Sequence, residues 1–508
     1  MDKIRVLQLG TEDWNNRYVI PKEAEWIYTR HFKETDGNPY DAVFIGRQPM
    51  EDEYEPLRQV TKAYTLFLTE NVEFTDRLRE LCGCCYGKII PEEQMQKFLS
   101  QELRFYFPAS YGEKYNLKNL ELAQSFRGTV WWDGNYAVNL EGDFGSEMKQ
   151  IAFWRNNIPV RKNQMIDLWL EYQKDANVEI ELEITQLQSG SLSKVINHWR
   201  FDETQLKQVV HIEGNHGDGP IFASISAKGE GKLRIIALHD RYSRGSHGHF
   251  LPGGVRYVTS KREEIFAYFD PGDRKPPLNV YFSGYKTMEG FEGYNMMRKM
   301  GCPFLLISEA RLEGGSFYLG SAEYEKLLAD ILKKYMEKLN FSSEQVILSG
   351  LSMGSTAAVY YGCDIRPHAI ILGKPLASIG NVSANEQYLR PGGFPTSLDV
   401  LQREGGGMDD DAVRRLNERF WDKFDSCDWG RTKFIIAYML EDDYDTDAYD
   451  MFLTHLQSDG AQIYGKGIHG RHNDNTQEIV RWFVNQYHMV LENDFNKKSN
   501  YSEPLRIR

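Results

Sequence analysis

The sequence VILSGLSMGSTAAVYYG, residues 346–362, is the stretch from which the fold class is predicted. Its first residues are typical of a buried strand, and its last eight contain small side chains that let a helix pack closely on a sheet. Between them, Ser352 lies midway between Gly350 and Gly354 in the pattern G-x-S-x-G. A nucleophile on a sharp strand-to-helix turn needs neighbours without bulky side chains at these two positions. The stretch therefore predicts a reactive serine at the carboxyl edge of a parallel sheet.

The sequence around this turn predicts the rest of the same sheet. Apolar runs of strand length alternate with helical stretches such as SAEYEKLLADILKKYMEKL, and strands that are buried on both faces and joined by helices form mostly parallel sheets. The runs are LNVYFSGY, PFLLIS, QVILSG, HAIILG and TKFIIAYML. We therefore expect an α/β-hydrolase-like catalytic domain over residues 257–508, with an insert at 377–431 that is placed to form a lid over the serine.

Two further domains are predicted ahead of it. Residues 1–120 alternate short strands with helical patterns, which indicates a small α/β domain. Residues 121–256 contain strands with turn residues between them, and in VEIELEI the apolar residues alternate with glutamates. This pattern is typical of an antiparallel β-sandwich, and a carbohydrate-binding-like domain is one candidate for it. Four tryptophans of this region are expected in its core more often than stacked on sugars: Trp131, Trp132, Trp154 and Trp169.

Composition restricts the location and the partners. The chain has 508 residues and a formal net charge of −13, which disfavours binding to nucleic acid or to anionic lipid. The amino terminus has no signal-peptide pattern, and no segment approaches the ~18 apolar residues that span a bilayer. We therefore expect a cytoplasmic protein that is at most peripheral at the inner face of the membrane.

Two groups of metal-capable side chains occur, and for both of them the expectation is that no metal is bound. CGCC lacks a second ligand pair at zinc spacing, which favours reduced, partly buried thiols. HDRYSRGSHGHF has neither helical nor strand spacing, which favours a polar loop. The residues concerned are Cys82, Cys84, Cys85, His239, Asp240, His247 and His249.

A serine nucleophile needs a base and an acid, which are expected to follow it in the order acid, then histidine. The strand FIIAYML leads into EDDYDTD, from which we choose Asp442 as the acid. The loop KGIHGRHNDNT lies between the last strand and the last helix, and we choose His472 there because GRHND resembles the G-x-H-N-D loop of many α/β-hydrolases. The alternatives that remain open are Glu441, Asp443 and Asp445 for the acid and His469 for the base.

Backbone N–H groups are expected to stabilise the negative charge that develops on the substrate oxygen. One should come from Met353, directly after the serine. The second should come from the loop that follows the apolar run LNVYF, within the stretch YFSGYKTMEG, with Gly284 or Tyr285 as the donor.

Three blocks of sequence carry a family resemblance: DPGDRKPPLNVYFSGY, LSGLSMGS and AYMLEDDYD. In a chain of about 500 residues that starts with an α/β layer, they resemble the second Asp-type component of the accessory Sec system of Gram-positive bacteria. The resemblance covers essentially the whole chain, and its most specific part is the carboxyl-terminal half.

The resemblance implies a role in the export of glycosylated serine-rich-repeat adhesins, together with the other accessory Asp components and the accessory SecA motor. It also implies O-acetylation of N-acetylglucosamine on the adhesin, with Ser352 and His472 in the triad. The acid in the family is a glutamate, which keeps Glu441 open beside Asp442. No bound cofactor is expected, although an acetyl donor is required. The alternatives are a non-enzymatic assembly or chaperone factor of the same system, and a free-standing carboxylesterase.

Overall fold

A computed structural model describes residues 3–33, 37–108, 111–115, 117–214, 217–385, 390, 394, 396–457 and 460–497. It contains three hydrogen-bonded sheets of five, ten and eight strands. The prediction of a mixed α/β chain is confirmed.

The first sheet is entirely parallel, with the strand order β2-β1-β3-β4-β5. Its central strands are buried on both faces, because helices cover them as crossover connections of parallel sheets normally do. Its strands are β1 (Ile4–Leu9), β2 (Ala24–Thr29), β3 (Ala42–Ile45), β4 (Leu66–Thr69) and β5 (Lys88–Ile90), and its helices are α1 (Tyr54–Val60), α2 (Asp76–Cys85) and α3 (Glu92–Lys97).

The second sheet is antiparallel. Its ten strands form one hydrogen-bonded network and not two separate sheets, because the 24-residue β15 pairs with β12 along its first half and with β11 along its second. Shifts of register around Gly229 accompany this change of partner, as expected where β-bulges bend a strand. The strands are β6 (Gly112–Tyr115), β7 (Leu120–Leu122), β8 (Thr129–Asp133), β9 (Ala137–Trp154), β10 (Ile158–Val160), β11 (Met165–Lys174), β12 (Val178–Leu187), β13 (Val195–Asp202), β14 (Val210–Glu213) and β15 (Gly219–Tyr242).

The alternation predicted for VEIELEI is present in β12. Its apolar residues are buried and the glutamates between them are exposed or half-buried. The tryptophans of this sheet divide into two groups: Trp154 and Trp169 are in the core, whereas Trp131 and Trp132 on β8 are 37% and 46% exposed. The core expectation is therefore wrong for these last two, because β8 lies at the edge of the sheet beside β9 and four of its five residues are exposed.

The third sheet has the order β16-β17-β19-β18-β20-β21-β22-β23, in which β17 runs antiparallel to both of its neighbours and the remaining strands share one direction. Its strands are β16 (Val255–Val258), β17 (Glu264–Asp270), β18 (Leu278–Phe282), β19 (Phe304–Glu309), β20 (Val346–Leu351), β21 (Ala369–Gly373), β22 (Lys433–Met439) and β23 (Gln462–Ile468). Its helices are α4 (Tyr294–Lys299), α5 (Ala322–Leu339), α6 (Met353–Tyr360), α7 (Gly362–Ile365), α8 (Ile379–Ala384), α9 (Ser397–Val400), α10 (Asp410–Asp425), α11 (Ala448–Leu456) and α12 (Thr476–Phe495).

Helices cover both faces of this sheet. Leu348 and Ile370 face a core shared with α5, α6 and α10, whereas their neighbours Ile347 and Ile371 face a core shared with α4 and α12. Helix α10 of the 377–431 insert contributes buried apolar residues to the first core, so this part of the insert is a structural helix and not a detached lid. In the part of the chain that the structure describes, every helix is too short or too polar to cross a bilayer.

Candidate active site

Ser352 lies at the junction of β20 and α6 in a strained backbone conformation. Its φ is +52° and its ψ is −123°, a region that residues with side chains rarely adopt. A Cβ atom on Gly350 would lie 2.2 Å from the carbonyl of Gly354, and one on Gly354 would lie 2.2 Å from the carbonyl oxygen of Phe282. Both glycines are thus sterically required, which is the reason for the G-x-S-x-G spacing.

The turn presents the serine hydroxyl to a histidine from the far end of the chain. Ser352 Oγ is 2.8 Å from His472 Nε2, and His472 Nδ1 lies 2.9 Å from one carboxylate oxygen of Asp442 and 3.2 Å from the other. Histidine and aspartate are both almost completely buried. A carboxylate in this position fixes the imidazole tautomer with Nε2 free to accept the serine proton.

Backbone contacts hold this acid in place. Asp442 Oδ1 accepts hydrogen bonds from the N–H groups of Tyr444 at 2.8 Å and Asp445 at 3.2 Å. The His472 N–H donates to Asp443 Oδ1 at 3.1 Å, so Asp443 supports the loop and does not face the imidazole. The Asp445 carboxylate accepts from the amides of Ala377 and Ser378 and is likewise engaged elsewhere.

The other pair of candidates forms a separate contact. Glu441 Oε1 lies 2.9 Å from His469 Nδ1, and Glu441 Oε2 accepts from the Gly470 N–H at 2.6 Å. Both side chains are exposed, and neither has a hydrogen bond to Ser352 among the described residues. The structure therefore brings Asp442 and His472 to the serine and does not bring Glu441 and His469 there.

Of the expected amide donors, Met353 opens α6, where the first N–H groups of a helix have no partner within the helix. The Gly284 N–H donates to Glu292 Oε2 at 2.7 Å and is thus already engaged by a side chain. This contact favours Tyr285, the next residue, as the second donor. All three of these donor residues line the same cavity as Ser352.

That cavity has a volume of about 590 Å³, and it includes two charged residues that the sequence interpretation missed. Glu292 is one, and Lys374 is the other, directly after β21. Burial lowers the pKa of Lys374, and its ammonium donates to Thr476 Oγ1 at 2.8 Å. The available signal for Lys374 was its place after the strand run HAIILG, at the same carboxyl edge as the serine.

Two of the metal-capable histidines contact carboxylates. His239 Nδ1 contacts Glu289 Oε1 at 2.5 Å, and His247 lies between Tyr106 and Glu102. Cys82 and Cys85 are buried free thiols, and burial raises the pKa of Cys82 to about 11. Among the residues that the structure describes, no group of three or more His, Cys, Asp or Glu side chains is arranged to hold a metal ion.

A family model and two similar proteins point to the same family, and each match covers nearly the whole chain. A family model described as "Asp2: Accessory Sec system GspB-transporter" matches residues 4–497. The accessory Sec system protein Asp2 of Streptococcus gordonii is 36% identical over 512 residues, covering 98% of this chain and 99% of that protein. Its counterpart in Staphylococcus aureus is 37% identical over 526 residues, covering 97% of this chain and 98% of that protein.

A solved structure is similar as well. One chain of the Glycosylation Associate Protein (Gap123) complex from Streptococcus agalactiae has a TM-score of 0.85 and 34% sequence identity, covering 98% of this chain and 100% of that chain. The similarity at this score extends over all three sheets.

Proposed function

The chain belongs to the Asp2 family of the accessory Sec system, and from this premise we propose that it is a serine-dependent O-acetyltransferase. Its acceptor in this proposal is N-acetylglucosamine on serine-rich-repeat glycoprotein adhesins, whose export it also supports. The observation that carries the proposal is the continuous contact from Ser352 Oγ through the His472 ring to the Asp442 carboxylate.

The proposed reaction has two steps. Ser352 Oγ attacks the acetyl carbonyl while its proton passes to His472 Nε2, and the leaving group takes that proton as its bond to the acetyl carbon breaks. A sugar hydroxyl then gives its proton to His472 Nε2 and attacks the acetyl-serine, which forms the sugar ester. The proton returns to Ser352 Oγ as the acyl bond breaks. The N–H groups of Met353 and Tyr285 stabilise the oxyanion in both steps.

The strand order of the third sheet supports an α/β-hydrolase-like catalytic domain over residues 257–508. In such domains the nucleophile lies on a sharp strand-to-helix turn at the top of the sheet, and the acid and then the histidine follow it in the chain. Ser352 follows β20, the fifth strand of this sheet in chain order, and His472 follows β23, the last. We propose two preceding domains that correspond to the expected ranges 1–120 and 121–256, with β6 (Gly112–Tyr115) grouped with the second because it pairs with β15.

The proposal also includes partners and a location. Similarity to a chain of the Gap123 complex supports assembly with the other accessory Asp components. We extend the partners to the accessory SecA motor and the glycosylated adhesin, with no nucleic acid. A net charge of −13 favours a cytoplasmic protein that is at most peripheral to the membrane. The chain needs no resident cofactor in this reaction, since the acetyl group comes from a separate donor.

The test compares Ser352→Ala with Ser193→Ala, a matched change in an exposed loop. Loss of the nucleophile should lower acetyl transfer to the adhesin glycan by at least about 10⁴-fold, since the residual rate depends on binding and the amide donors alone. Mass spectrometry of the secreted adhesin measures the acetyl groups. We expect export to continue in this variant and the control to acetylate normally.

Unchanged acetylation in Ser352→Ala would contradict the proposal and would favour the alternative of a non-enzymatic assembly or chaperone factor. A free-standing carboxylesterase would instead hydrolyse simple acyl esters through Ser352 and would not co-purify with the other accessory Asp components.

A further inference from the structure

Two cysteines lie next to each other where the end of helix α10 packs on α7. Cys363 is the second residue of α7, and Cys427 is the second residue after α10. Cys363 Sγ donates to the Lys423 carbonyl oxygen at 3.4 Å, and the Cys427 N–H donates to the Phe424 carbonyl oxygen at 3.2 Å. The turn that ends α10 therefore brings Cys427 back toward the Cys363 side chain.

The surrounding contacts hold this pair in place and leave it accessible. Lys423 Nζ, from the last turn of α10, forms a salt bridge of 2.7 Å with Asp364, the residue after Cys363. Both cysteines pack against the core that α5, α6 and α10 share, and neither forms a disulfide in this structure. Both are only partly buried, whereas the other four cysteines are buried. A small reagent from solvent can therefore reach this pair.

The two thiols differ in reactivity because each affects the other. Hydrogen bonding between them raises the pKa of the Cys363 thiol and lowers the pKa of the Cys427 thiol. The positive charge of Arg366 adds to the lowering of the Cys427 pKa, and burial opposes it. Because the thiolate is the nucleophilic form, Cys427 is the more reactive of the two. A thiol of lowered pKa beside a second thiol is typical of redox-sensitive cysteines.

We propose that Cys363 and Cys427 form a modification site at which hydrogen peroxide produces an intramolecular disulfide bond. The Cys427 thiolate attacks one peroxide oxygen, the O–O bond breaks, and hydroxide leaves as Cys427 becomes a sulfenic acid. The Cys363 sulfur then attacks the sulfenic sulfur. The S–S bond forms, the S–O bond breaks, and the hydroxyl group leaves as water with the Cys363 proton. The peroxide takes up the two electrons that the thiols lose.

This bond would close a loop around most of the 377–431 insert. The loop from Cys363 to Cys427 contains α8, α9 and α10. Joining its ends removes conformations from the unfolded chain and so stabilises the folded one. Helix α7 begins two residues after α6 ends, so the bond anchors the insert to the far end of the helix that follows Ser352. The serine hydroxyl takes no part, and the inference is independent of the proposed function.

Mass spectrometry of the full-length wild-type chain tests the bond directly. The chain is treated with hydrogen peroxide, catalase stops the reaction, and the remaining thiols are alkylated after denaturation. We expect a linked pair of peptides that contain Cys363 and Cys427 and that a reducing agent separates. Cys302, which is 1% exposed, is the internal control and should be recovered alkylated. A Cys427 peptide recovered alkylated, or oxidised without a link, would overturn the proposal.

Cys363→Ser removes the second thiol and keeps the size of the side chain. The sulfenic acid on Cys427 should then persist and react with dimedone, whereas wild type should lose this label because Cys363 consumes the sulfenic acid. Cys427→Ser should give neither label nor link at this site. Cys84→Ser, on α2 of the first sheet, is the matched control and should form the same linked pair as wild type. Equal dimedone labelling of Cys427 in wild type and Cys363→Ser would contradict the role of Cys363.

Thermal unfolding measures whether the bond anchors the insert. The oxidised wild-type chain should unfold at a higher temperature than the reduced chain, and dithiothreitol should reverse the shift. Cys363→Ser should unfold at one temperature before and after peroxide treatment. Equal unfolding temperatures for oxidised and reduced wild type would overturn the stabilising role of the bond.

Discussion

Two adjacent acids, Glu441 and Asp442, contact different histidines. Asp442 faces inward to His472, and Glu441 faces solvent beside His469. The chain turns directly after β22, and this turn directs Asp442 toward the imidazole and leaves Glu441 at the surface. Burial makes this difference important, since a carboxylate shielded from water interacts more strongly with an imidazolium than an exposed one does.

Asp442→Asn removes the negative charge and keeps the size of the side chain. We expect it to lower the acylation rate constant by about 10³-fold to 10⁴-fold, because an amide stabilises the wrong imidazole tautomer. Glu441→Gln is the matched control, and we expect it to change the rate by less than about two-fold. Burst kinetics with an aryl acetate measure both. A larger loss in Glu441→Gln than in Asp442→Asn would reverse the assignment of the acid.

At the scale of elements, β17 ends in a buried carboxyl group. Asp270 closes this antiparallel strand, and its Oδ1 accepts the Gly272 N–H at 2.9 Å. Burial raises the pKa of Asp270 from 3.8 to about 6, although the backbone bond and the nearby Arg298 oppose this. A raised pKa means that the folded chain binds the proton more tightly than the unfolded chain.

The stability contribution of Asp270 therefore falls as pH rises from about 4 to about 6 and stays low above that range. The shift corresponds to at most about 3 kcal/mol. We expect Asp270→Asn to raise the free energy of unfolding at pH 7.5 and to have little effect at pH 4, because asparagine keeps an acceptor for Gly272 and carries no charge. Urea denaturation at the two pH values measures this.

Asp143→Asn is the control for this pH effect, since Asp143 is exposed and likewise accepts a backbone N–H two residues on. We expect its unfolding curves to match the wild type at both pH values. A destabilised Asp270→Asn variant at pH 7.5 would mean that the carboxylate contributes more as a hydrogen-bond partner than its burial costs.

At the scale of the whole molecule, β6 of the antiparallel sheet connects two loops at the edge of the third sheet. Gly112 exchanges backbone hydrogen bonds with Glu289, and Lys114 Nζ donates to the Leu312 carbonyl. The Glu289 carboxylate is buried between His239 at 2.5 Å and Arg241 at 2.6 Å, both on β15. The loop that contains Glu289 also contains Tyr285, so the antiparallel sheet helps to position the expected oxyanion donor.

Glu289→Gln should weaken the contact of this side chain with His239 and Arg241 and leave the fold intact. We expect kcat with an aryl acetate to fall about ten-fold with little change in KM, because a misplaced amide donor affects the transition state more than the bound substrate. Hydrogen exchange of peptides from residues 283–293 should become faster. Asp167→Asn is the matched control, a buried acid on β11 of the antiparallel sheet that contacts His211. Equal exchange in wild type and Glu289→Gln would contradict this coupling.

The amino-acid sequence alone predicted the features that depend on short-range pattern. Alternating strands and helices indicated the mixed α/β chain, and G-x-S-x-G indicated the turn at Ser352, because both arise from local backbone and packing constraints. It also placed an acid and a histidine in the loops after the last two strands, where parallel strands end at one edge. Position within a loop did not distinguish Asp442 from its neighbours.

Which of these side chains meet depends on how the strands pair in three dimensions. Ser352 and His472 are 120 residues apart, and their contact depends on the order in which β20–β23 pair. The engagement of the Gly284 amide by Glu292 and the proximity of Cys363 to Cys427 were equally invisible in sequence. The physical reason is that hydrogen bonds and burial are set by distances of a few ångströms in space, whereas sequence patterns report only the periodicity of each separate element.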